Sequence, residues 1–324
     1  MTRTQRAAAS GAACLISMAT LALASAAQAQ TVDYRVSAGY ATGSYIFSGT
    51  AWSAAMFHSL DVQGGRFKFT ASVPIIAQNN TALTYIGGII VPTGGPDDAA
   101  VAGRRNGDPI QMGPGMGTGR DTTGGNGRGG SGGRMGGNVA PTAAVMAVTT
   151  ADTLTVTEPG GTTVHVGDPM FSGSVDLYTG TGILRAMTVH AFAKAPMASV
   201  ASGVSTGQWD FGGGASLALG SGQRFFFGDA SYWVLGDMPE LELLDNVVYG
   251  VGFGQSTVDG KWSLLGSVSG STAVIRNVTP PASAGFSIGY RPSSFQSLTW
   301  GLSFGLTESA STVSTSLGWR VRLF

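Results

Sequence analysis

Side chains able to do acid–base or nucleophilic chemistry are scarce in this chain. The three histidines are His58, His165 and His190. His165 lies close to Asp168 in a serine-rich chain, and Ser, His and Asp are the residue types of one hydrolase triad. No spacing selects such a triad, and no His, Asp and Glu cluster has metal-ligand spacing. The sequence therefore predicts no enzyme, no cofactor and no metal, with a lipid hydrolase at a barrel rim as a less favoured alternative.

Two glycine-rich motifs match functional patterns in spacing alone. Residues 125–130 fit the dinucleotide pattern G-x-G-x-x-G, and residues 129–133 fit the nucleophile elbow G-x-S-x-G. Neither motif follows a predicted strand or begins a predicted helix, which is the context that gives such motifs their function. In a run of glycines both matches are expected by chance.

Six charged residues lie on the face of their predicted strands opposite the large apolar side chains. In a barrel with lipid outside and water inside, that face lines the lumen. The charges then form either a buried ion-pair network that rigidifies and partly plugs the barrel, which we favour, or a polar pathway that selects a solute. These lumen-facing candidates are Asp176, Asp210, Asp229, Lys261, Arg291 and Arg320.

Six aromatic residues lie near predicted strand ends. Aromatic girdles occupy such positions because their amphipathic rings suit the membrane–water interface. Ordinary strand preference for aromatic residues is the competing explanation. The predicted interface aromatics are Trp209, Tyr232, Trp262, Tyr290, Trp300 and Trp319.

The elements that must position these residues are strands of alternating character. Trp300, Leu302 and Phe304 fall on one parity, whereas Gly301 and Ser303 fall on the other. Successive side chains of a strand point to opposite faces, so each segment has one apolar face and one small or polar face. The sequence predicts an all-β, antiparallel transmembrane β-barrel of about twelve strands. They lie near 32–42, 47–58, 66–76, 168–178, 184–194, 207–219, 223–235, 245–255, 260–269, 284–291, 297–307 and 313–323.

The N-terminus has the pattern of a secretory signal over residues 1–29. Arg3 and Arg6 precede an apolar stretch, and Ala27-Gln28-Ala29 forms an A-x-A cleavage site. The mature barrel is therefore predicted to span 30–324. Cys14, the single cysteine of the chain, lies within the signal, so we expect no thiol or disulfide in the mature protein.

Residues 78–166 interrupt the strand rhythm and are predicted to form one long extracellular loop. The segment 111–138 is almost half glycine, so it is predicted to be disordered. The apolar flanks, 83–91 and 143–156, either extend a strand pair above the membrane or fold into the pore. Elsewhere short turns alternate with longer links, as periplasmic turns and extracellular loops do.

The composition limits which classes of binding partner and which cellular location the sequence predicts. The net charge is +0 with 11% charged residues, which gives no electrostatic footprint for nucleic acid. Mean hydropathy is +0.18, yet no apolar stretch beyond the signal is long enough for a spanning helix. We expect the bacterial outer membrane as the location. The expected partners are outer-membrane lipid, the barrel-insertion machinery during biogenesis, and a small-molecule solute.

Several short motifs occur together in order along the chain. They are Val73-Pro74, Gly167-Asp168-Pro169, Lys194-Ala195-Pro196, Thr206-Gly207-Gln208-Trp209-Asp210, Gly228-Asp229, Asn246 and Tyr249-Gly250. Through these motifs the chain resembles the outer-membrane "transporter" family of the phenol meta-cleavage degradation pathway over about 67–74 and 167–324. The resemblance implies a barrel that moves small, often aromatic or hydrophobic, compounds, and it supplies no catalytic or binding residues. The glycine-rich insertion and the parity of Phe324 depart from the pattern.

The favoured function is therefore a passive, porin-like channel for small molecules, aromatic or hydrophobic ones among them. The alternative is a plugged structural or surface-interaction barrel whose long loop makes the contacts.

Overall fold

The computed structural model describes residues 31–45, 50–79, 83–86, 89–92, 161–238 and 242–324. The predicted signal peptide, the predicted disordered segment 111–138 and the flank 143–156 lie outside these residues. In the described part of the chain no helix is long and apolar enough to cross a bilayer. The strands are β1 (Thr31–Gly43), β2 (Ala51–Gly64), β3 (Phe67–Gln78), β4 (Leu83–Ile86), β5 (Ile89–Pro92), β6 (Thr163–Val166), β7 (Met170–Thr179), β8 (Leu184–Lys194), β9 (Asp210–Ser221), β10 (Arg224–Val234), β11 (Asn246–Ser256), β12 (Trp262–Ser271), β13 (Ala282–Ser293), β14 (Gln296–Gly305) and β15 (Val313–Arg322).

Twelve antiparallel strands close into a barrel, as the sequence predicted. Strands β7 to β15 pair in sequence order, β15 pairs with β1, and β1, β2 and β3 return to β7. The short β6 pairs with Ile75–Gln78 of β3, next to the part of β3 that pairs with β7. A closed barrel leaves no strand edge unpaired, which satisfies the backbone hydrogen bonds in lipid.

All twelve predicted strands are present, although their boundaries shift. The largest shift is in β2, predicted over 47–58 and found at Ala51–Gly64. It ends at a tight turn in which Gly65 has a φ of 57°, a conformation that glycine adopts at little cost. This local turn chemistry fixes the end of the strand, whereas alternation alone only fixed its phase.

The outer face of the wall is apolar. Val251 and Phe253 point outward and are 48% and 55% exposed, while Gly252 between them faces the lumen. Both chain ends of the barrel lie on the side of the short turns, and the long links lie on the other side. This arrangement is that of a transmembrane barrel with periplasmic turns and extracellular loops.

The extracellular half of the lumen is filled by a hairpin. Strands β4 and β5 pair with each other as a separate two-stranded sheet. Their side chains join an apolar cluster with residues from several walls and loops of the barrel. The flank over 83–91 therefore folds into the mouth of the barrel instead of extending β3 above it. The buried cluster comprises Tyr45, Ala51, Leu83, Ile86, Val91, Trp233, Leu235, Met238, Leu243, Val274 and Ile275.

Candidate functional site

A cavity of about 590 Å³ lies in the extracellular half of the lumen, between the β4–β5 hairpin and the barrel wall. On the hairpin side it is lined by Leu83, Tyr85, Ile89 and Ile90. The opposite wall presents many small hydroxyl groups. They belong to Ser53, Ser269, Ser271, Ser283, Ser303, Ser311, Ser314 and Ser316. One side of the cavity is thus aliphatic and aromatic, and the other is weakly polar.

Several hydroxyl groups of this wall form hydrogen bonds with each other across neighbouring strands. Ser303 and Ser314 lie 2.6 Å apart between their Oγ atoms, and Ser269 and Ser283 lie 3.2 Å apart. Each hydroxyl both donates and accepts, so such pairs hold together without a charged partner. Among the described residues that line the cavity, none carries a carboxylate, ammonium or guanidinium group. The cavity can therefore take up a small apolar molecule without unpairing a charge.

Two tyrosines of the cavity lining stay neutral. Burial raises the pKa of Tyr85, on the hairpin, to about 12, and raises the pKa of Tyr45, in the β1–β2 loop, to about 12. The Tyr85 ring packs against Phe57 of β2, with 5.6 Å between ring centroids. Among the described residues, the buried Tyr45 hydroxyl has no hydrogen-bond partner.

The periplasmic end of the lumen carries a ladder of ion pairs. Asp61 on β2 forms ion pairs with Arg35 and with Lys68, whose Nζ lies 3.2 Å from Asp61 Oδ2. Asp61 also accepts a hydrogen bond of 2.6 Å from the Thr70 hydroxyl. Asp33 on β1 faces two arginines of β15: Arg320 at 3.8 Å and Arg322 at 3.4 Å. The four cationic side chains keep 35–40% of their surface exposed. The cations are therefore partly hydrated, whereas the Asp61 and Asp33 carboxylates are 3% and 11% exposed.

A second ion-pair network lies at the extracellular end and is fully buried. Lys194, at the end of β8, places its Nζ 2.9 Å from Asp210 Oδ2 and 3.3 Å from Asp168 Oδ2. Thr206 Oγ1 accepts a third hydrogen bond from the same ammonium at 3.0 Å. Asp168 also accepts from the Ser205 hydroxyl and from the amides of residues 197 and 198. The network fastens the β8–β9 loop across the starts of β7 and β9.

The six predicted lumen charges separate into different environments. Asp210 belongs to the buried network and Arg320 to the ion-pair ladder. Asp176 accepts a hydrogen bond of 2.7 Å from Thr188, and Asp229 is exposed beside Gly250 of β11. Arg291 lies exposed at the periplasmic end of β13. The strand placement of Lys261 was wrong, because Lys261 lies in the β11–β12 turn and is exposed.

The six predicted interface aromatics point outward, at different depths. Trp262 and Tyr290 stack with 4.3 Å between ring centroids at the periplasmic end, and Trp319 lies near that end of β15. Trp209, just before β9, and Tyr232 lie toward the extracellular side. The prediction that Trp300 lies near a strand end was wrong. It lies in the middle of β14 and donates from Nε1 to Thr315 Oγ1 at 3.1 Å.

The sequence interpretation missed the aromatic residues inside the lumen. Trp233 is 3% exposed and stacks on Phe192 with 5.1 Å between ring centroids. Phe227 lies over Gly252, where a Cβ atom would come within 2.3 Å of its ring. The signal was present, because consecutive aromatics in 225–227 and 232–233 must place rings on both faces of β10.

The contacts of Asp168 argue against the hydrolase alternative, in which Asp168 would be the acidic partner of His165. The Asp168 carboxylate pairs with Lys194 and Ser205 in the buried network, and its partners do not include His165 on β6. His190 lies 3.0 Å from Ser216 Oγ within the lumen, where the ring also packs on Phe192. Within the described residues no group of three His, Cys, Asp or Glu side chains is placed to hold a metal ion.

No family model matches the chain, and no curated protein matches it. Among solved structures, the CymD monoaromatic hydrocarbon channel is similar with a TM-score of 0.42 and 10% identity, over 90% of this chain and 88% of that one. The translocator domain of the autotransporter NalP from Neisseria meningitidis has a TM-score of 0.42 and 8% identity, over 99% of both chains. The outer membrane phospholipase A from Escherichia coli has a TM-score of 0.36 and 10% identity, over 91% of both chains.

The three similar structures do not distinguish a channel from a translocator or a phospholipase. The class that this chain's own fold defines is an outer-membrane β-barrel: twelve closed antiparallel strands, an apolar outer face, and turns and loops on opposite sides. The resemblance to the phenol-pathway transporter family rests on the sequence motifs alone.

Proposed function

We propose that the protein is a passive outer-membrane channel for small, uncharged aromatic or hydrophobic molecules. The observation that carries this proposal is the uncharged cavity of about 590 Å³ inside the barrel. Its volume lies within the range of small-molecule sites, and such sites combine apolar walls with a few placed polar groups. The hairpin supplies the apolar wall, and the serines supply the polar groups.

A route toward the periplasm supports transport over storage. Below the cavity several lumen-facing positions of β12 to β15 are small, among them Ser267, Ser287, Gly301 and Gly318, whereas Leu265 is a larger one. The ion-pair ladder follows on β15 and the neighbouring strands β1 to β3. A solute that leaves the cavity along this side of the lumen therefore meets mostly small and partly hydrated side chains. The sequence motifs resemble those of a family that is implied to transport aromatic compounds, which also favours transport over storage.

The plugged structural barrel is the second candidate. The buried cluster of the hairpin with Trp233, Leu235 and Ile275 favours it, because these side chains close the extracellular mouth. The two candidates differ in what the cavity does. In a channel the cavity lies on the solute's path, whereas in a structural barrel filling it changes nothing outside the fold.

Filling the cavity tests the proposal. Ser283 lines the cavity on β13, and Ala284 next to it points outward. In cells of a porin-deficient Gram-negative host, uptake of a labelled monoaromatic hydrocarbon should rise with the wild-type protein. Ser283→Trp should return uptake to the host background, and the matched control Ala284→Trp should keep it. Uptake no higher than background with folded wild-type protein would favour the structural barrel.

A further inference from the structure

Two pairs of like charges lie on the lumen side of the wall at the periplasmic end of the barrel. The first pair is Lys261, the last residue of the β11–β12 turn, and Arg291 of β13. Their neighbours Trp262 and Tyr290 pair with each other on the outer face. Because successive residues point to opposite faces, Lys261 and Arg291 start on the lumen side. The Arg291 amide donates to the Lys261 carbonyl at 2.7 Å, so the two cations start next to each other.

The second pair of like charges lies two strands further along the wall. Arg320 of β15 is the direct cross-strand partner of Arg35 on β1 and, on its other side, of Ser297 on β14. The pairing of β13 with β14 brings Arg291 close to the level of Ser297. The four cations therefore follow one row around the lumen, with a serine in the middle. We call them the basic row: Lys261, Arg291, Arg320 and Arg35.

Half of the basic row has acidic partners, and these partners are covered. Arg35 pairs with Asp61, and Arg320 lies 3.8 Å from Asp33. The two carboxylates are 3% and 11% exposed, whereas the two arginine side chains are 40% and 35% exposed. Like charges directly opposite each other destabilise a sheet, and here the carboxylates offset that cost from behind. The lumen therefore meets the cations and not the acids.

The other half of the basic row lacks even that compensation. Lys261 and Arg291 are both exposed, and neither forms an ion pair within the part of the chain that the structure describes. Asp259 is close in sequence, but its carboxylate accepts from the Thr257 hydroxyl and the Lys261 amide within the turn. The charge that the basic row presents to the lumen is therefore positive.

The serine gives the basic row a recess between two guanidinium groups. Neighbouring strands lie about 4.8 Å apart, so Arg291 and Arg320, on either side of β14, start about 10 Å apart. Ser297 between them has a short side chain with a hydroxyl donor. A guanidinium group binds the oxygens of a carboxylate or phosphate through two parallel N–H donors. An oxyanion above Ser297 is therefore within reach of donors from both sides.

We propose that the basic row binds an oxyanion, a carboxylate or a phosphate, inside the periplasmic mouth of the lumen, with Arg291 and Arg320 on either side of it above Ser297. Lys261 and Arg35 add positive charge beside the two guanidinium groups. The bound anion supplies the negative charge that the two pairs of like charges lack. This site goes beyond the proposed channel function, because the cavity of the extracellular half is uncharged and the basic row takes a charged ligand.

The electrostatic potential at Ser297 tests the proposal. The predicted mature chain has no cysteine, so Ser297→Cys introduces a single thiol. The protein in lipid nanodiscs is labelled with an anionic or a cationic methanethiosulfonate of similar size, and the ratio of the two rates is divided by that of a free thiol. Because a cleft of one sign concentrates the opposite charge by about tenfold or more, the corrected ratio should exceed about ten. A ratio near one, or a thiol that reacts with neither reagent, overturns the proposal.

Two single substitutions at the same rim separate the basic row from the overall charge. In the Ser297→Cys protein, Arg291→Gln should lower the rate ratio several-fold, and it leaves no carboxylate without its partner. Arg224→Gln is the matched control. It removes the same charge from an exposed residue that shares the outward parity of Phe226 on β10, so the ratio should stay high. Equal losses in the two variants contradict the proposal.

Competing anions identify the oxyanion. Sodium benzoate and sodium phosphate are each compared with sodium chloride at equal ionic strength, because screening alone lowers the potential. Slower labelling by the anionic reagent in benzoate assigns a carboxylate site, slower labelling in phosphate assigns a phosphate site, and Arg291→Gln should abolish either protection. If neither anion protects the thiol more than chloride does, the basic row binds no oxyanion, whatever the rate ratio. None of these results depends on the passage of a hydrocarbon through the barrel.

Discussion

Ion pairs lie at both ends of the lumen, in opposite surroundings. At the periplasmic end, Arg320 and Lys68 keep more than a third of their side chains exposed beside Asp33 and Asp61. At the extracellular end, Lys194 is 1% exposed between Asp168 and Asp210, which are 2% and 0% exposed. At the periplasmic end the Asp61 and Asp33 carboxylates are 3% and 11% exposed, so only their cations are hydrated, whereas at the extracellular end every charged group is buried.

The difference determines what each end can do. Hydrated pairs lose little when one partner moves, because water replaces it. A buried pair has no such replacement, and losing one partner leaves an uncompensated charge. The periplasmic end can therefore admit water and solute, whereas the extracellular end forms a rigid frame around the capped cavity.

Removing the buried ammonium should have the largest effect on stability. Lys194→Met leaves two carboxylates facing each other without a cation, and we expect a loss of about 3–5 kcal/mol in the free energy of unfolding. Denaturant unfolding of the protein in lipid vesicles measures it. The matched control is Lys68→Met, since Asp61 keeps Arg35 and the Thr70 hydroxyl. Similar losses in the two variants would contradict the distinction between the ends.

The second prediction tests whether hydration belongs to the lumen side of the wall. Leu302 and Ser303 are neighbours on β14, with Ser303 lining the cavity and Leu302 pointing outward. Leu302→Arg should destabilise the reconstituted barrel by about 2–4 kcal/mol if it lies near the bilayer midplane. Ser303→Arg should cost much less in the same unfolding experiment. Equal costs would refute the assignment of the two faces.

A third change probes the carboxylate at the centre of the ladder. Asp61→Asn removes the acceptor shared by Arg35, Lys68 and Thr70. Because both cations stay hydrated, we expect a loss of about 1–2 kcal/mol in the free energy of unfolding. A loss as large as that of Lys194→Met would show that the periplasmic end is desolvated as well.

The smallest effect is expected for a single ladder arginine. Arg320→Gln should change the free energy of unfolding by less than about 1 kcal/mol, because Arg322 remains beside Asp33. The difference from wild type should shrink further at about 1 M salt, where screening acts within about 3 Å. A difference that does not respond to salt would place this pair in a buried environment.

The alternation of apolar and polar residues predicted most of the fold but less of the candidate site. Twelve strands were predictable because each has a period-two pattern that a closed barrel requires. The sequence did not decide whether 83–91 extends above the membrane or folds into the pore. An apolar segment can pack on any apolar surface, and the partners of this segment come from distant loops. Lys261 was predicted to lie in a strand but lies in the β11–β12 turn, because this turn is one residue longer than the alternating pattern indicated.

The buried network was hidden for a different reason. Lys194 is the last residue of β8, Asp210 is the first of β9, and Asp168 lies in the link before β7, so strand alternation does not bring the three together. All three nevertheless belong to the motifs that carry the family resemblance. The network gives these residues of this chain a common role, because the buried Lys194 ammonium is compensated by both carboxylates and by a hydroxyl of the β8–β9 loop.

The central claim is that a small aromatic solute occupies the capped cavity on its way through a lumen accessible to solutes. Cys14 lies in the predicted signal, so a single introduced cysteine reports its own surroundings. In the reconstituted protein, Ser303→Cys should react with a small, membrane-impermeant thiol reagent, and an excess of a monoaromatic hydrocarbon should slow that reaction. Leu302→Cys, facing lipid, should stay unlabelled. An unreactive Ser303→Cys, or a labelling rate indifferent to the hydrocarbon, would contradict the account.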